Sequence, residues 1–193
     1  MKHTFIIEHL EPEVFPWCLI EYKHISETVG KENLWFTNLK GIRGAENLIP
    51  YGRCVQESIS TLAPTLTNAC VLDPAVDKTL KPAEASKFAY FIFGGILGDF
   101  PPKQRTKVEL TPFLPNIPVR NIGKEQMSTD NAVLVVYEIA HGKELADLTF
   151  QDGIDIEIND VESVQLPYRY RMIKGKPFIS SELIQYLKEK ISF

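Results

Sequence analysis

The chain has 193 residues, of which 44% are hydrophobic and 24% charged, as expected for one globular domain or one domain with a small appendage. Its formal net charge of −4 argues against a protein that binds the phosphate backbone of a nucleic acid. The same charge favours a cationic partner such as a basic protein. Three widely spaced cysteines, no signal-peptide pattern and no run of roughly 18 apolar residues predict a soluble intracellular protein with free thiols.

The first third of the chain alternates between apolar runs typical of strands and segments with helical spacing. Residues 4–10 predict a first strand. Apolar residues at helical spacing up to Val29 predict a helix that begins at Pro12 or Pro16 and stops at Gly30. A second strand is predicted at 34–39, an irregular glycine-rich segment at 41–52 and a weaker helix at 53–62.

The middle of the chain contains short apolar strands, each followed by a loop. The run ACVLD predicts a strand at 69–73, and YFIF predicts a central strand at 90–93 that is buried on both faces. A helical turn at 82–87, a short helix at 103–110, a strand at 117–122 and an apolar helix at 131–141, capped by Ser128 or Thr129, complete the pattern. Strands that alternate with helices in this way predict an α/β fold with a largely parallel sheet.

The tail of the chain has a different character. Strands are predicted at 148–152, 154–158 and 164–172, with turns at Gly153 and Gly175, and an amphipathic helix follows from residue 181 or 182 to 191. The acidic residues Asp155, Glu157, Asp160 and Glu162 give this part a local negative charge. We therefore expect a small β/α extension after the α/β part, with a boundary near residue 145.

Three loops follow buried strands and are predicted to meet at the carboxyl edge of the sheet, where α/β proteins bind ligands. They are 72–74 (LDP), 94–99 (GGILGD) and 122–129. Glycines in the second loop would permit positive φ and a close backbone approach, and Ile96 and Leu97 would supply an apolar wall for a flat ring. The chain has no dinucleotide fingerprint, P-loop, nucleophile elbow or zinc-ligand spacing, so we expect an adenosine-containing ligand with little phosphate and no metal.

Four motifs in this frame resemble a small family of SPOUT-class methyltransferases whose characterised fungal member methylates an arginine of a small-subunit ribosomal protein. They are FGGILGDxPPxxRT at 93–106, KxQMSTD at 124–130, LDP at 72–74 and PYRY at 167–170, with IIEH at 6–9 in the first strand. The chain departs from the family pattern at Phe100, where histidine is expected, and at Asn131, where threonine is expected. The resemblance covers most of the chain and is weakest at 41–67.

The resemblance implies a SPOUT-like parallel sheet flanked by helices and tied in a trefoil knot, with a methyltransferase core at 1–145 and a C-terminal β/α extension at 146–193. It also implies that S-adenosylmethionine binds in the knot, with Leu72, Ile96, Ile122 and Met127 around adenine and Thr129 at the methionine end. The full set of cofactor residues carried over is Leu72, Asp73, Pro74, Gly94, Gly95, Ile96, Leu97, Gly98, Asp99, Ile122, Gly123, Met127, Ser128 and Thr129.

An arginine acceptor requires a carboxylate near the methyl group. The guanidinium is protonated at physiological pH, so a carboxylate must orient it and accept a proton as attack proceeds. Asp99 is the first candidate for this catalytic role, Glu8 the second and Asp130 the third, although its helix-start position favours a capping role. Arg105 and Thr106 are expected to pin the loop that follows Pro101 and Pro102.

Three functions remain open at this stage. The first is a protein-arginine methyltransferase that acts as a cytoplasmic monomer on a basic ribosomal protein, with the acidic tail guiding an arginine-rich segment. The second is a SPOUT RNA methyltransferase, which the absence of a basic appendage disfavours. The third is a non-catalytic S-adenosylmethionine-binding ribosome-assembly factor.

Overall fold

The computed structural model describes residues 2–159 and 161–191, and these residues form two β-sheets and six α-helices. Asp160, one of the acidic residues noted in the tail, lies outside the described residues, as do Met1, Ser192 and Phe193. Within the described ranges, no helix is both long enough and apolar enough to cross a membrane.

The first sheet has six parallel strands and the order β3-β2-β1-β5-β4-β6. Its strands are β1 (Thr4–His9), β2 (Leu34–Thr37), β3 (Arg53–Cys54), β4 (Ala69–Leu72), β5 (Tyr90–Gly95) and β6 (Val119–Arg120). The first strand lies in the interior of the sheet, because Ile6 pairs with Trp35 on one side and with Ile92 on the other. The predicted α/β fold with a parallel sheet is confirmed.

The central strand β5 is buried on both faces of the sheet. Phe91 and Ile92 have no exposed surface, and Phe93 is 3% exposed. On one face, the ring of Phe91 stacks on Phe5 with centroids 5.8 Å apart. On the other face, Ile92 packs with Ile6 in a separate apolar cluster. A strand with no polar face can only lie between two packed layers, as its sequence predicts.

Five helices flank this sheet: α1 (Pro16–Val29), α2 (Ile59–Leu62), α3 (Pro82–Ala85), α4 (Arg105–Glu109) and α5 (Thr129–Ala140). Of the two predicted starts of the first helix, Pro16 is correct, since it occupies the first turn, where a missing N–H costs nothing. The helix ends at Gly30, whose φ of 82° stops it. The apolar helix α5 is buried along most of its length, as expected.

The prediction of a helix over 53–62 is wrong in its first half. Arg53 and Cys54 form the edge strand β3, where Arg53 pairs with Trp35 and its guanidinium lies 4.3 Å from the centre of the indole ring. This cation–π contact across the strands overrides local helical preference. The helix begins only at Ile59, after the Ser58 hydroxyl accepts a hydrogen bond from the Ser60 N–H.

The second sheet is antiparallel and consists of β7 (Phe150–Glu157), β8 (Ser163–Ile173) and β9 (Lys176–Pro177), followed by helix α6 (Ser181–Ile191). The sequence predicted two strands with a turn at Gly153, but β7 continues through this residue, and the pairing register with β8 shifts there. A glycine at φ 71° absorbs the irregularity as a bulge without reversing the chain. The predicted turn at Gly175 is confirmed.

The second sheet and α6 pack on helices α1 and α5. Ile20 of α1 shares an apolar cluster with Tyr170 of β8 and Leu183 of α6. The buried guanidinium of Arg171 donates to Glu138 of α5 at 2.6 Å. Two surfaces of the first part of the chain are therefore covered by the last part.

Asn131, at a position where the family pattern predicts threonine, strengthens the contact between α5 and the tail. Its side-chain amide donates to the Phe178 carbonyl at 2.9 Å, and its side-chain oxygen accepts from the Arg171 N–H at 2.8 Å. The trefoil knot stays a prediction from the resemblance.

Candidate active site

The three predicted loops meet around one cavity at the carboxyl ends of β4, β5 and β6. We call residues 72–74 the first loop, 94–99 the central loop and 122–129 the third loop. The predicted residues that line the cavity are Leu72, Asp73, Pro74, Gly94, Ile96, Gly98, Asp99, Ile122, Gly123, Met127 and Thr129. Gly95, Leu97, Ser128 and the candidate base Glu8 are not among the lining residues.

The glycines of the central loop serve close approach and not positive φ, which corrects one of the two reasons given for them. Gly94, Gly95 and Gly98 all have ordinary φ values. A Cβ on Gly98 would lie 2.5 Å from the side chains of both Gln126 and Tyr168. A Cβ on Gly95 would lie 2.3 Å from the Tyr22 hydroxyl, so Gly95 packs against the core and does not face the cavity.

The walls of the cavity are largely apolar. Leu72, Ile122 and Met127 come from the first and third loops, and Ile96 comes from the central loop. Phe93 and Ala132, which sequence analysis did not assign to the site, complete these walls. A slot with apolar walls and few polar groups suits a flat aromatic ring.

A single carboxylate holds the central loop against the segment that follows it. One oxygen of Glu11 accepts from the Leu97 N–H at 2.9 Å and from the Arg105 guanidinium at 2.6 Å. Arg105 also donates to Glu109 at 2.8 Å, so its pairing with carboxylates agrees with the predicted pinning role. This contact turns the Leu97 backbone toward Glu11, and its side chain packs on the core.

Asp99 is the carboxylate of the central loop that faces the cavity while keeping contact with solvent. Its side chain is 28% exposed and forms an ion pair of 2.8 Å with Lys103. Its backbone carbonyl accepts from the Gln126 amide at 3.2 Å, which joins the central and third loops. An exposed lysine is a replaceable partner, so this carboxylate is available to another cation.

Glu8, the second candidate base, lies away from the cavity. It is 3% exposed, and its carboxylate accepts hydrogen bonds from the hydroxyls of Thr37 and Ser58, both at 2.5 Å, and from the Ile59 N–H at 2.9 Å. These donors fix the start of α2 onto β1. Glu8 does not line the cavity and its carboxylate already accepts these three hydrogen bonds, so its catalytic role stays a prediction and Asp99 is the better-placed candidate.

Asp130 lies in the first turn of α5, and Ser128 is its N-cap residue by position, although the Ser128 side chain accepts no capping hydrogen bond. One oxygen of Asp130 accepts from the Asn131 N–H at 2.8 Å and from the Ser128 hydroxyl at 2.6 Å. The other oxygen pairs with His24 at 2.8 Å. These contacts support the capping role of Asp130 and direct the Ser128 hydroxyl toward it. Asp73 has a similar local role, since its carboxylate accepts from the Ala75 N–H at 2.8 Å.

A second buried carboxyl, that of Glu21, lies behind the start of α5. It accepts a hydrogen bond from the Trp17 indole at 2.7 Å and contacts both the backbone and the side chain of Thr129, which lines the cavity. Burial, together with the nearby charge of Asp130, raises the pKa of Glu21 to about 8. Sequence analysis missed this residue because it occupies an ordinary position on an amphipathic helix.

Several lining residues were outside the predicted set. They are Phe93, Lys103, Gln104, Arg105, Thr106, Glu125, Gln126 and Ala132. Glu125 and Gln126 lie within the third loop and could have been included on that ground.

Tyr168, from the PYRY motif, reaches the site from the tail, as its hydroxyl donates to the Gly98 carbonyl at 2.9 Å. Within the described residues, no group of three or more His, Cys, Asp or Glu side chains could hold a metal ion.

Comparison with known proteins identifies the family. A model of the SFM1-like protein arginine N-methyltransferases matches residues 4–192. The protein arginine N-methyltransferase SFM1 of Saccharomyces cerevisiae is 34% identical, and the match covers 96% of this chain and 94% of the yeast protein.

Solved structures agree with this match. The yeast SFM1 crystal structure complexed with SAM superposes with a TM-score of 0.90 at 32% identity, over 100% of this chain and 93% of that chain. A dual-specific Trm10 from Thermococcus kodakaraensis has a TM-score of 0.55 at 17% identity, over 74% of this chain and 95% of that chain, and this likeness concerns the fold alone. The SPOUT-type fold inferred from the sequence is thus shared with solved methyltransferases. The chain belongs to the family of SFM1-like protein arginine N-methyltransferases.

Proposed function

We propose that this protein transfers a methyl group from S-adenosylmethionine to an arginine of a small-subunit ribosomal protein. The observation that carries the proposal is the cavity itself. It combines apolar walls from three loops with Asp99, a carboxylate that faces both the cavity and solvent. A family of protein arginine N-methyltransferases and a relative crystallised with SAM support the same reading.

The residues of the cavity fit the cofactor. Leu72, Ile96, Ile122 and Met127 can enclose an adenine ring, and Gly94 lets backbone approach without a Cβ. Thr129 begins α5, so its end of the cavity lies at a helix N-terminus, which favours the carboxylate of a methionine moiety. When bound, S-adenosylmethionine supplies an activated methyl group on its sulfonium sulfur.

Asp99 provides the polar group that the acceptor needs. A guanidinium is a poor nucleophile while protonated, and it is planar and donates two parallel hydrogen bonds to a carboxylate. The Asp99 carboxylate would receive the acceptor in place of Lys103, align one guanidinium nitrogen with the methyl group, and hold the released proton. Gln126 keeps the backbone of Asp99 in place through the hydrogen bond to its carbonyl.

The architecture also supports the predicted organisation of the molecule. We infer a methyltransferase core at 1–145 and an extension at 146–193, because the parallel sheet belongs to the first range and the antiparallel sheet to the second. The extension covers α1 and α5, as Ile20 and Arg171 illustrate, which leaves less surface for pairing and favours a monomer. We also propose a cytoplasmic location, in keeping with the proposed ribosomal substrate.

The net charge of −4 favours a basic protein over RNA as the substrate, so the RNA methyltransferase remains the second candidate. The test is methyl transfer from labelled cofactor to purified small ribosomal subunits, followed by separate digestion with protease and with ribonuclease. We expect label that protease releases and that is recovered as methylarginine after hydrolysis. Label released by ribonuclease would overturn the proposal. Cofactor binding without any methyl transfer would instead support the third function, a non-catalytic S-adenosylmethionine-binding assembly factor.

A further inference from the structure

The outer edge of the second sheet has no strand paired with it among the described residues. The sheet has the order β7-β8-β9, so β7 is an edge strand of eight residues, Phe150–Glu157. The opposite edge is the two-residue strand β9, which ends in Pro177 and cannot donate from that residue. An open edge is a template for another extended chain, and natural proteins seldom leave one without a function or a guard.

The hydrogen-bond pattern shows which backbone groups face outward. The Ile158 N–H donates to the Glu162 carbonyl at 2.9 Å, which makes these two residues a bonded pair. Bonded and non-bonded pairs alternate in an antiparallel ladder. Glu157, opposite Ser163, and Asp155, opposite Gln165, are therefore non-bonded pairs, and the N–H and C=O groups of Asp155 and Glu157 point away from β8.

The side chains on this edge carry charge of one sign. Asp155 and Glu157 are exposed, whereas Ile154 and Ile156, which alternate with them along the strand, are buried in the apolar cluster with α6. The sequence from 150 to 167 contains five acidic residues and no lysine, arginine or histidine. Lys188 of α6 lies beside the Glu157 end of this hairpin. Negative charge repels an acidic strand from the edge, and it attracts a basic one.

Strand pairing and hydrogen bonds connect the edge strand β7 to the candidate active site. Arg169 of β8 pairs with Asp152 of β7, and the Arg169 N–H donates to the Gln126 carbonyl at 2.8 Å. The adjacent Tyr168 donates to Gly98. Gln126 and Gly98 both line the cavity. Strands in a sheet lie about 4.8 Å apart, so a chain added to β7 would lie roughly 10 Å from β8. Asp155 pairs with Gln165, three residues from Tyr168, so the added chain beside Asp155 would lie roughly 14 Å from Tyr168, a span that about five extended residues cover.

We propose that the outer edge of β7 binds an extended, arginine- and lysine-rich segment of the protein substrate as an added β-strand. Main-chain hydrogen bonds to Asp155 and Glu157 would supply affinity without reading sequence, and their carboxylates would select a basic segment. The segment lies a few residues from the acceptor arginine, which enters the cavity. The inference rests on the proposed function, because it assigns the substrate a docking segment separate from the methylated residue.

The test uses two fluorescent peptides of equal charge. One is a ten-residue peptide of alternating arginine and threonine, and the other has the same sequence with its six central residues N-methylated, which removes their N–H donors. Binding is measured by anisotropy without cofactor, and backbone amide shifts locate the contact. We expect the unmodified peptide to bind at least ten times more tightly and to shift the amides of Asp155 and Glu157.

Protein variants separate strand addition from general charge attraction. Asp155→Asn combined with Glu157→Gln should weaken binding three- to tenfold and flatten its salt dependence. The matched control is Glu144→Gln combined with Asp147→Asn, which removes two exposed carboxylates elsewhere on the surface and should change affinity less than twofold. Equal binding of the two peptides, or shifts only outside β7, would overturn the proposal. These measurements involve no methyl transfer, so a failed ribosomal assay would leave them unaffected.

Discussion

The hydroxyl of Tyr168 donates a hydrogen bond to the backbone carbonyl of Gly98 at 2.9 Å, and this contact joins the tail to the central loop. Tyr168→Phe removes the bond and keeps the ring. A neutral hydrogen bond contributes about 1 kcal/mol, so we expect cofactor affinity to fall about fivefold with little change in melting temperature. Isothermal titration with S-adenosylmethionine measures this. Tyr186→Phe, on α6, is the control. An equal loss of cofactor affinity in both variants would contradict a specific role of the hydrogen bond between Tyr168 and Gly98.

Gly98→Ala and Gly95→Ala should fail in different ways. The new Cβ at position 98 would meet Tyr168 and Gln126 at 2.5 Å beside the cavity, so cofactor binding should weaken at least tenfold while the protein still folds. The Cβ at position 95 would meet Tyr22 and Ile7 in the core, so the melting temperature should fall by several degrees. Thermal melts and titration with S-adenosylmethionine are measured for both variants. A lower melting temperature only in Gly98→Ala, or weaker cofactor binding only in Gly95→Ala, would contradict this prediction.

Asp99→Asn tests the assignment of the acceptor's carboxylate. The amide keeps the shape of the side chain but loses its negative charge, so kcat should fall by about a hundredfold or more while the cofactor dissociation constant changes less than twofold. Single-turnover transfer of labelled methyl groups gives the rate. Asp147→Asn, an exposed aspartate in a short helical turn, serves as the control. Retention of more than a tenth of the activity by Asp99→Asn would remove this residue from the mechanism.

Glu21 should make the stability of the protein fall as pH rises. Burial and Asp130 raise its pKa from 4.5 to about 8, so between these values the folded state keeps a proton that the unfolded state has lost. Glu21→Gln cannot ionise and should remove this slope. Relative to the wild type, the variant should gain at least about 1 kcal/mol between pH 5 and pH 8 in urea unfolding. Glu27→Gln, exposed on the same helix, should run parallel to the wild type.

Sequence reasoning located the buried strands and the three loops because these depend on local apolar runs, glycines and prolines. The strand 90–93 and the loop 94–99 are examples. Local reasoning failed where a residue distant in sequence determines the secondary structure, as at Arg53, which joins the sheet by pairing with Trp35. It also could not foresee the surroundings of Glu8, because a carboxylate at the end of a strand reveals nothing about the Thr37 and Ser58 hydroxyls that donate to it.

Identification of the cofactor and the acceptor did not come from such physical patterns at all. Composition and periodicity led only to an adenosine-like ligand at the sheet edge. The longer motif at 93–106 carried the family resemblance, and the family match then confirmed it. Glu21 lay beyond both kinds of reasoning, since its unusual environment arises where α1 meets the start of α5.

The interior position of β1 sets the order in which the protein can fold during its own synthesis. Thr4 leaves the ribosome well before Tyr90, its neighbour in the sheet. Until that residue emerges, one edge of a strand with the apolar centre Phe5, Ile6 and Ile7 has no partner. Contacts between residues so far apart in the chain slow folding and leave hydrophobic surface open to aggregation. A nascent chain stopped before residue 90 is therefore expected to depend on chaperones, and this dependence should fall once β5 has emerged.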